Sequence, residues 1–167
     1  MNQASQGSGL SVRATLDAAA RPGILGGLLG AILIDAYRLV LAAMSRGTAA
    51  VEQHYREVAA AVIGSMAYAY PGAAYAGVAI HLIVAITWGV GYAYVAVQRP
   101  SVARRPLVSG LFFGIVVYIC MQCISEVSGL PVTFAAPAVF VALVAHTIFF
   151  GIPLALVVDA RLRAAGR

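Results

Sequence analysis

A chain of 167 residues that is 62% hydrophobic and 10% charged is not a soluble domain, in which about a quarter of the residues would carry charge. All eleven basic residues are arginine and the formal net charge is +5, a balance that in a soluble protein would suggest nucleic acid. Here most arginines cluster beside apolar runs, so the composition points to the lipid bilayer as partner and excludes nucleic acid.

Residues 1–21 are polar and then Ala-rich. They read as a cytoplasmic N-terminal segment with a short surface helix around residues 11–20, held at the headgroups by Arg13 and Arg21. They hold no uninterrupted apolar core, so a cleavable signal peptide is not expected. From Pro22, a residue suited to a first helical turn, an apolar run to Met44 is long enough to cross a membrane. It carries Asp35 and Arg38, spaced to pair with each other on one helix face.

Residues 49–70 begin with Glu52, His54, Arg56 and Glu57 and end apolar, which predicts an amphipathic helix on or dipping into the outer surface. Tyr68, Tyr70 and Tyr75 fall where an interfacial aromatic belt belongs. The second span, about residues 73–97, contains His81, with Ala74, Gly77, Ala85, Gly89 and Tyr92 on the same helical face. It ends in the acid-free loop Gln98 to Pro106. The third span, about 107–127, carries Tyr118, Cys120, Gln122, Cys123 and Glu126; the fourth, about 134–158, carries His146 and Pro153. Residues 159–167 form a cytoplasmic tail.

The fold class is therefore all-α: an integral membrane four-helix bundle, residues 22–158, with an additional interfacial helix. Near the membrane the N-terminus has two arginines, the middle loop three and the C-terminus three, while the loop between the third and fourth spans has none. That asymmetry places both termini in the cytoplasm. A faint repeat is visible as well. Spans one and three share Gly-x-x-x-Gly, at Gly26/Gly30 and Gly110/Gly114, and spans two and four each carry a His followed by Gly.

Counting about 1.5 Å per residue from the cytoplasmic ends places Asp35, His81, Tyr118, Gln122 and His146 at depths of about 17–24 Å, in one layer just outside the midplane. Asp35, Arg38, His81, Tyr118, Gln122 and His146 are thus the candidate ligand- or proton-binding residues. Ionisable side chains at that depth are costly and often mark a pathway, whereas His, Tyr and Gln also serve as plain interhelical hydrogen bonds.

Three chemistries use this layer. A proton or small-molecule pathway needs no cofactor, and its narrow bundle calls for a homodimer through the Gly-x-x-x-Gly faces. A b-type haem would take His81 and His146 as axial ligands with glycines making room, although those glycines are counted at a shallower level. A transition-metal site would draw on Asp35, His81, His146 and Cys120. An accessory subunit of a larger membrane complex is the remaining alternative. No hydrolase, kinase or dinucleotide signature occurs, so an enzyme is expected only as a haem or metal redox protein.

The pattern His81-x7-Gly89-x2-Tyr92-Ala93, with His146-x2-Phe149-Phe150-Gly151, resembles short bacterial inner-membrane proteins of the YagU-like family. The resemblance covers the two His-bearing helices. It implies a bacterial cytoplasmic membrane and assigns no activity.

Overall fold

The computed structural model describes residues 11–47, 49–130, 132 and 134–166. Residues 1–10 of the N-terminal segment, Thr48 of the first connection, Pro131 and Thr133 of the turn before the last span, and Arg167 of the tail lie outside the described residues.

No strand occurs among the described residues. The helices in order are α1 (Val12–Arg46), α2 (Ala49–Ile63), α3 (Met66–Ala69), α4 (Ala73–Gln98), α5 (Pro100–Ala103), α6 (Pro106–Val127), α7 (Ala136–Val144), a π-helical turn (Ala145–Gly151) and α8 (Ile152–Ala164). Four are long and apolar enough to cross a membrane: α1, α4, α6 and the composite helix Ala136–Ala164.

The first span departs from expectation at its start. No separate surface helix precedes Pro22; α1 runs unbroken for 35 residues with Pro22 inside it. Its entry is fixed earlier, where the Ser11 hydroxyl accepts from the Ala14 N–H at 3.2 Å and the Thr15 hydroxyl donates to the Ser11 carbonyl at 3.1 Å. Thr15 and Ala19 are fully buried, so tertiary packing holds the turns before Pro22 in register despite the backbone donor that proline lacks.

The expected helix over residues 49–70 is divided at Gly64, whose φ of +63° ends α2 and starts the short α3. Arg56 fastens the two pieces, donating to the carbonyls of Ala67 and Tyr70, each at 2.9 Å, while pairing with Glu52 at 2.7 Å. At the far end of α2 the Ser128 hydroxyl donates to the Ala61 carbonyl at 3.2 Å. The helix is therefore tied at one end of the bundle to the connection between α6 and α7. Tyr68, Tyr70 and Tyr75 stay exposed, as a belt requires.

Glycine sets the packing inside the bundle. A side chain at Gly23 or Gly27 would collide with the α4 backbone at Gly89–Val90 and Ala85–Ile86. A side chain at Gly110 or Gly114 would collide with the fourth span at Gly151–Ile152 and His146–Thr147. Two antiparallel pairs result, α1 with α4 and α6 with the fourth span, each with its backbones in close approach.

The pairs are built alike, but the equivalences differ from those expected. Gly23/Gly27, not Gly26/Gly30, matches Gly110/Gly114. Gly26 and Gly30 instead face Leu154 and Phe150 of the fourth span, joining one pair to the other. Both Gly-x-x-x-Gly faces are thus spent within the chain and are not free for the dimer contact assigned to them. His146 likewise matches Ala85, not His81. Ala85 and Gly89 lie four residues apart, and His146 and Gly151 five apart, against glycines of identical spacing. The additional residue is absorbed by the π-helical turn.

The bundle closes through aromatic side chains. Tyr37 stacks on Phe149 with centroids 4.4 Å apart, and Phe113 of α6 meets Trp88 and Tyr92 of α4 edge-on. The Tyr92 hydroxyl lies 2.8 Å from the Ser109 hydroxyl, so its buried polar end is satisfied across the same seam.

Candidate functional site

The face expected of α4 is the buried one: Gly77, Ala85, Gly89 and Tyr92 lie in the interior and Ala74 is half-buried. That phase aims His81 at α1, where Gly27 and Ala31 are buried on the side bearing Asp35. The His81 Nε2 and Asp35 Oδ1 atoms are 3.1 Å apart, with side chains 21% and 15% exposed. The distance is that of an ion pair, yet the direction is wrong for a hydrogen bond, and both buried atoms lack a hydrogen-bond partner among the described residues.

The other carboxylate oxygen is engaged. The Tyr55 hydroxyl of α2 donates to Asp35 Oδ2 at 3.0 Å. Tyr55 reaches it because α2 packs on α4 at Gly77, where any side chain would strike the Tyr55 carbonyl. Burial, reinforced by the neighbouring Asp35 carboxylate, pushes the Tyr55 phenol up to about 12, so it remains a donor throughout the physiological range. Tyr55 was not singled out from sequence. Its only signal there is the four-residue spacing to Ala59, which marks the buried face of α2.

Arg38, expected to pair with Asp35, makes no ion-pair contact with it among the described residues. It lies instead within electrostatic reach of both Asp35 and Glu57. His54, one residue before Tyr55, is half-buried beside Arg38, His81 and Arg46. Burial first, and those cations second, press its imidazole down to about 4.

Tyr118 and His146 meet separately, with ring centroids 5.7 Å apart. The His146 Nδ1–H donates to the Ala142 carbonyl at 2.7 Å and the Thr147 hydroxyl to the Leu143 carbonyl at 2.6 Å. Side-chain donors thus serve the junction at which the helix widens into its π-helical turn. His146 is within electrostatic reach of His81 and Arg38 without touching either. Gln122 lies one turn beyond Tyr118, half-buried, and makes no hydrogen bond with a described residue. The six residues therefore form two pairs, Asp35–His81 and Tyr118–His146, with Arg38 near both and Gln122 apart.

Of the glycines that a haem would need as room, Gly26 and Gly30 are in contact with Leu154 and Phe150, and Gly110 and Gly114 with the backbone of the fourth span; His81 turns its Nε2 toward Asp35. No group of three metal-ligating side chains occurs among the described residues. Cys120 is half-buried and Cys123 exposed, both as free thiols.

No family model, curated protein or solved structure matches the chain. Four apolar spans make it a multi-pass membrane protein.

Proposed function

We propose that this chain is a multi-pass protein of the bacterial inner membrane that handles a proton or small molecule at the Asp35–His81 pair, beneath a lid formed by α2. The observation that carries the reading is the 3.1 Å approach of two buried polar atoms that satisfy no hydrogen bond. Leaving such atoms unmatched costs about 1–3 kcal/mol each, an expense that structure alone does not repay. A small rotation of either side chain would let a proton between Oδ1 and Nε2 satisfy both. Tyr55 occupies Oδ2 and so leaves Oδ1 as the oxygen that exchanges it.

The relay is simple. Protonated His81 beside ionised Asp35 and neutral His81 beside protonated Asp35 carry the same net charge, so a proton crosses between them without changing the net charge held in the apolar surroundings. Its entry lies at the α2 end of the bundle, since His81 is eight residues from the start of α4, about 12 Å along the helix.

The test is proton flux into vesicles containing the purified protein, driven by a potassium diffusion potential and read with an entrapped pH dye. Flux above protein-free vesicles is expected, falling to the protein-free level in Asp35→Asn. Flux that survives Asp35→Asn, or none in the wild type, would overturn the reading.

A further inference from the structure

Away from the Asp35–His81 pair, at the opposite end of the bundle, a pocket of about 330 Å³ opens between the end of α4, the α5 connection and α8. That is roughly ten times the volume of a water molecule in the liquid, so it is not a packing void. Its apolar wall is Val97, Ala103 and Leu162; its polar lining is Arg104, Arg163 and Asp159.

Asp159 is 4% exposed and accepts from Arg163 one helical turn on, which fixes that guanidinium at the pocket mouth while most of the Arg163 side chain stays exposed. Arg104 is exposed and has no carboxylate partner among the described residues. With Asp159 engaging Arg163, the pocket keeps one uncompensated positive charge, the full donor fork of Arg104 and those Arg163 donors that Asp159 does not take. Arg99, Arg105 and Arg161 stand outside it, and Asp17 of α1 is the only other described acid in the chain at this end.

The pocket also lies at a defined depth. It sits where α4 ends at Gln98 and α6 begins at Pro106, hence at the boundary between hydrocarbon and headgroups. About one helical turn deeper along α4 and α8, Val95 and Leu156 are exposed apolar surface, which suits an acyl chain. Paired guanidinium groups at this depth match the oxygens of a phosphate ester. We propose that this pocket is a binding site for a phosphate ester, held by Arg104 and Arg163, with an anionic phospholipid headgroup or a soluble phosphate ester as its two possible sources.

The experiment is native mass spectrometry of the full-length protein in detergent, titrated in separate arms with phosphatidylglycerol and with glycerol phosphate. Binding is expected to weaken about fivefold in Arg104→Ala and further in Arg104→Ala/Arg163→Ala. Asp159→Asn frees the Arg163 fork and is expected to tighten it, a gain that damage to the fold would not produce. Retention of phosphatidylglycerol alone assigns the site to a lipid; comparable, arginine-dependent binding of glycerol phosphate assigns it to a soluble ester. Binding in neither arm, or an equal loss in the control Arg99→Ala/Arg105→Ala, would overturn the proposal, the latter by showing attraction to net charge and not to the pocket.

Discussion

Asp35 sits among apolar helices, where a carboxylate survives only with partners. Those partners come from two different elements. Tyr55 supplies a hydrogen bond from α2 and His81 an approach within ion-pair distance from α4, while the sequence neighbour Arg38 does neither. Removing the Tyr55 hydroxyl should therefore loosen the lid and not the bundle. Tyr55→Phe is expected to cost about 0.5–1.5 kcal/mol of α2 docking, seen as faster amide exchange across residues 50–60 with the four spans unchanged.

His54 adds a pH dependence to the same helix. Its imidazole is held down to about 4, against an ordinary value near 6.5. When α2 lifts away, the ring regains its ordinary affinity and takes up a proton below about pH 6.5, whereas the docked ring stays neutral until about pH 4. Docking is thus at full strength above pH 6.5 and weakens as the pH falls through that window. Amide exchange in α2, corrected for its intrinsic pH dependence, should quicken from pH 7 to pH 5, and His54→Gln should flatten the change. A wild-type profile that is already flat would refute this.

Between helices, identical glycine spacing has been used twice with different outcomes. On α4 an undisturbed α-helix meets Gly23/Gly27; in the fourth span one additional residue is taken up as a π-helical turn against Gly110/Gly114. His146 holds the position of Ala85 and Ala142 that of His81, while Gln122 stands eight residues past Gly114 as Asp35 stands eight past Gly27. The acid and base therefore meet in only one of two similar pairs.

The glycines themselves give a sharp contrast. Gly89→Val and Gly151→Val place methyl groups against neighbouring backbone and should each destabilise the bundle by about 1–3 kcal/mol or more. Gly91, two residues from Gly89, has open space where its Cβ would be, so Gly91→Val should be nearly neutral. Thermal unfolding in detergent compares the three, and equal losses would mean that the close approach is not what holds the pairs together.

Across the whole molecule, the basic connection around α5 and the cap of α2 and α3 lie at opposite ends of the spans. In a background with Cys120 and Cys123 replaced by Ala, Val102→Cys and Ser65→Cys should react with a membrane-impermeant thiol reagent from opposite faces of the membrane. From the arginine asymmetry, position 102 is expected to label from the cytoplasmic face. Labelling of both positions from one side would refute the four-span architecture.

Apolar runs of spanning length, arginine clusters and small-residue stripes were legible in the sequence because lipid imposes them on each segment separately. The buried faces of α1 and α4 followed from helical phase for the same reason. What the chain order could not determine was partnership: that Asp35 faces His81 and Tyr55 instead of Arg38, that Gly26/Gly30 joins the two pairs instead of matching Gly110/Gly114, and that α1 continues through Pro22. Each depends on how far one helix slides and turns against another, and that is fixed only when backbones meet at glycine and the interior is filled.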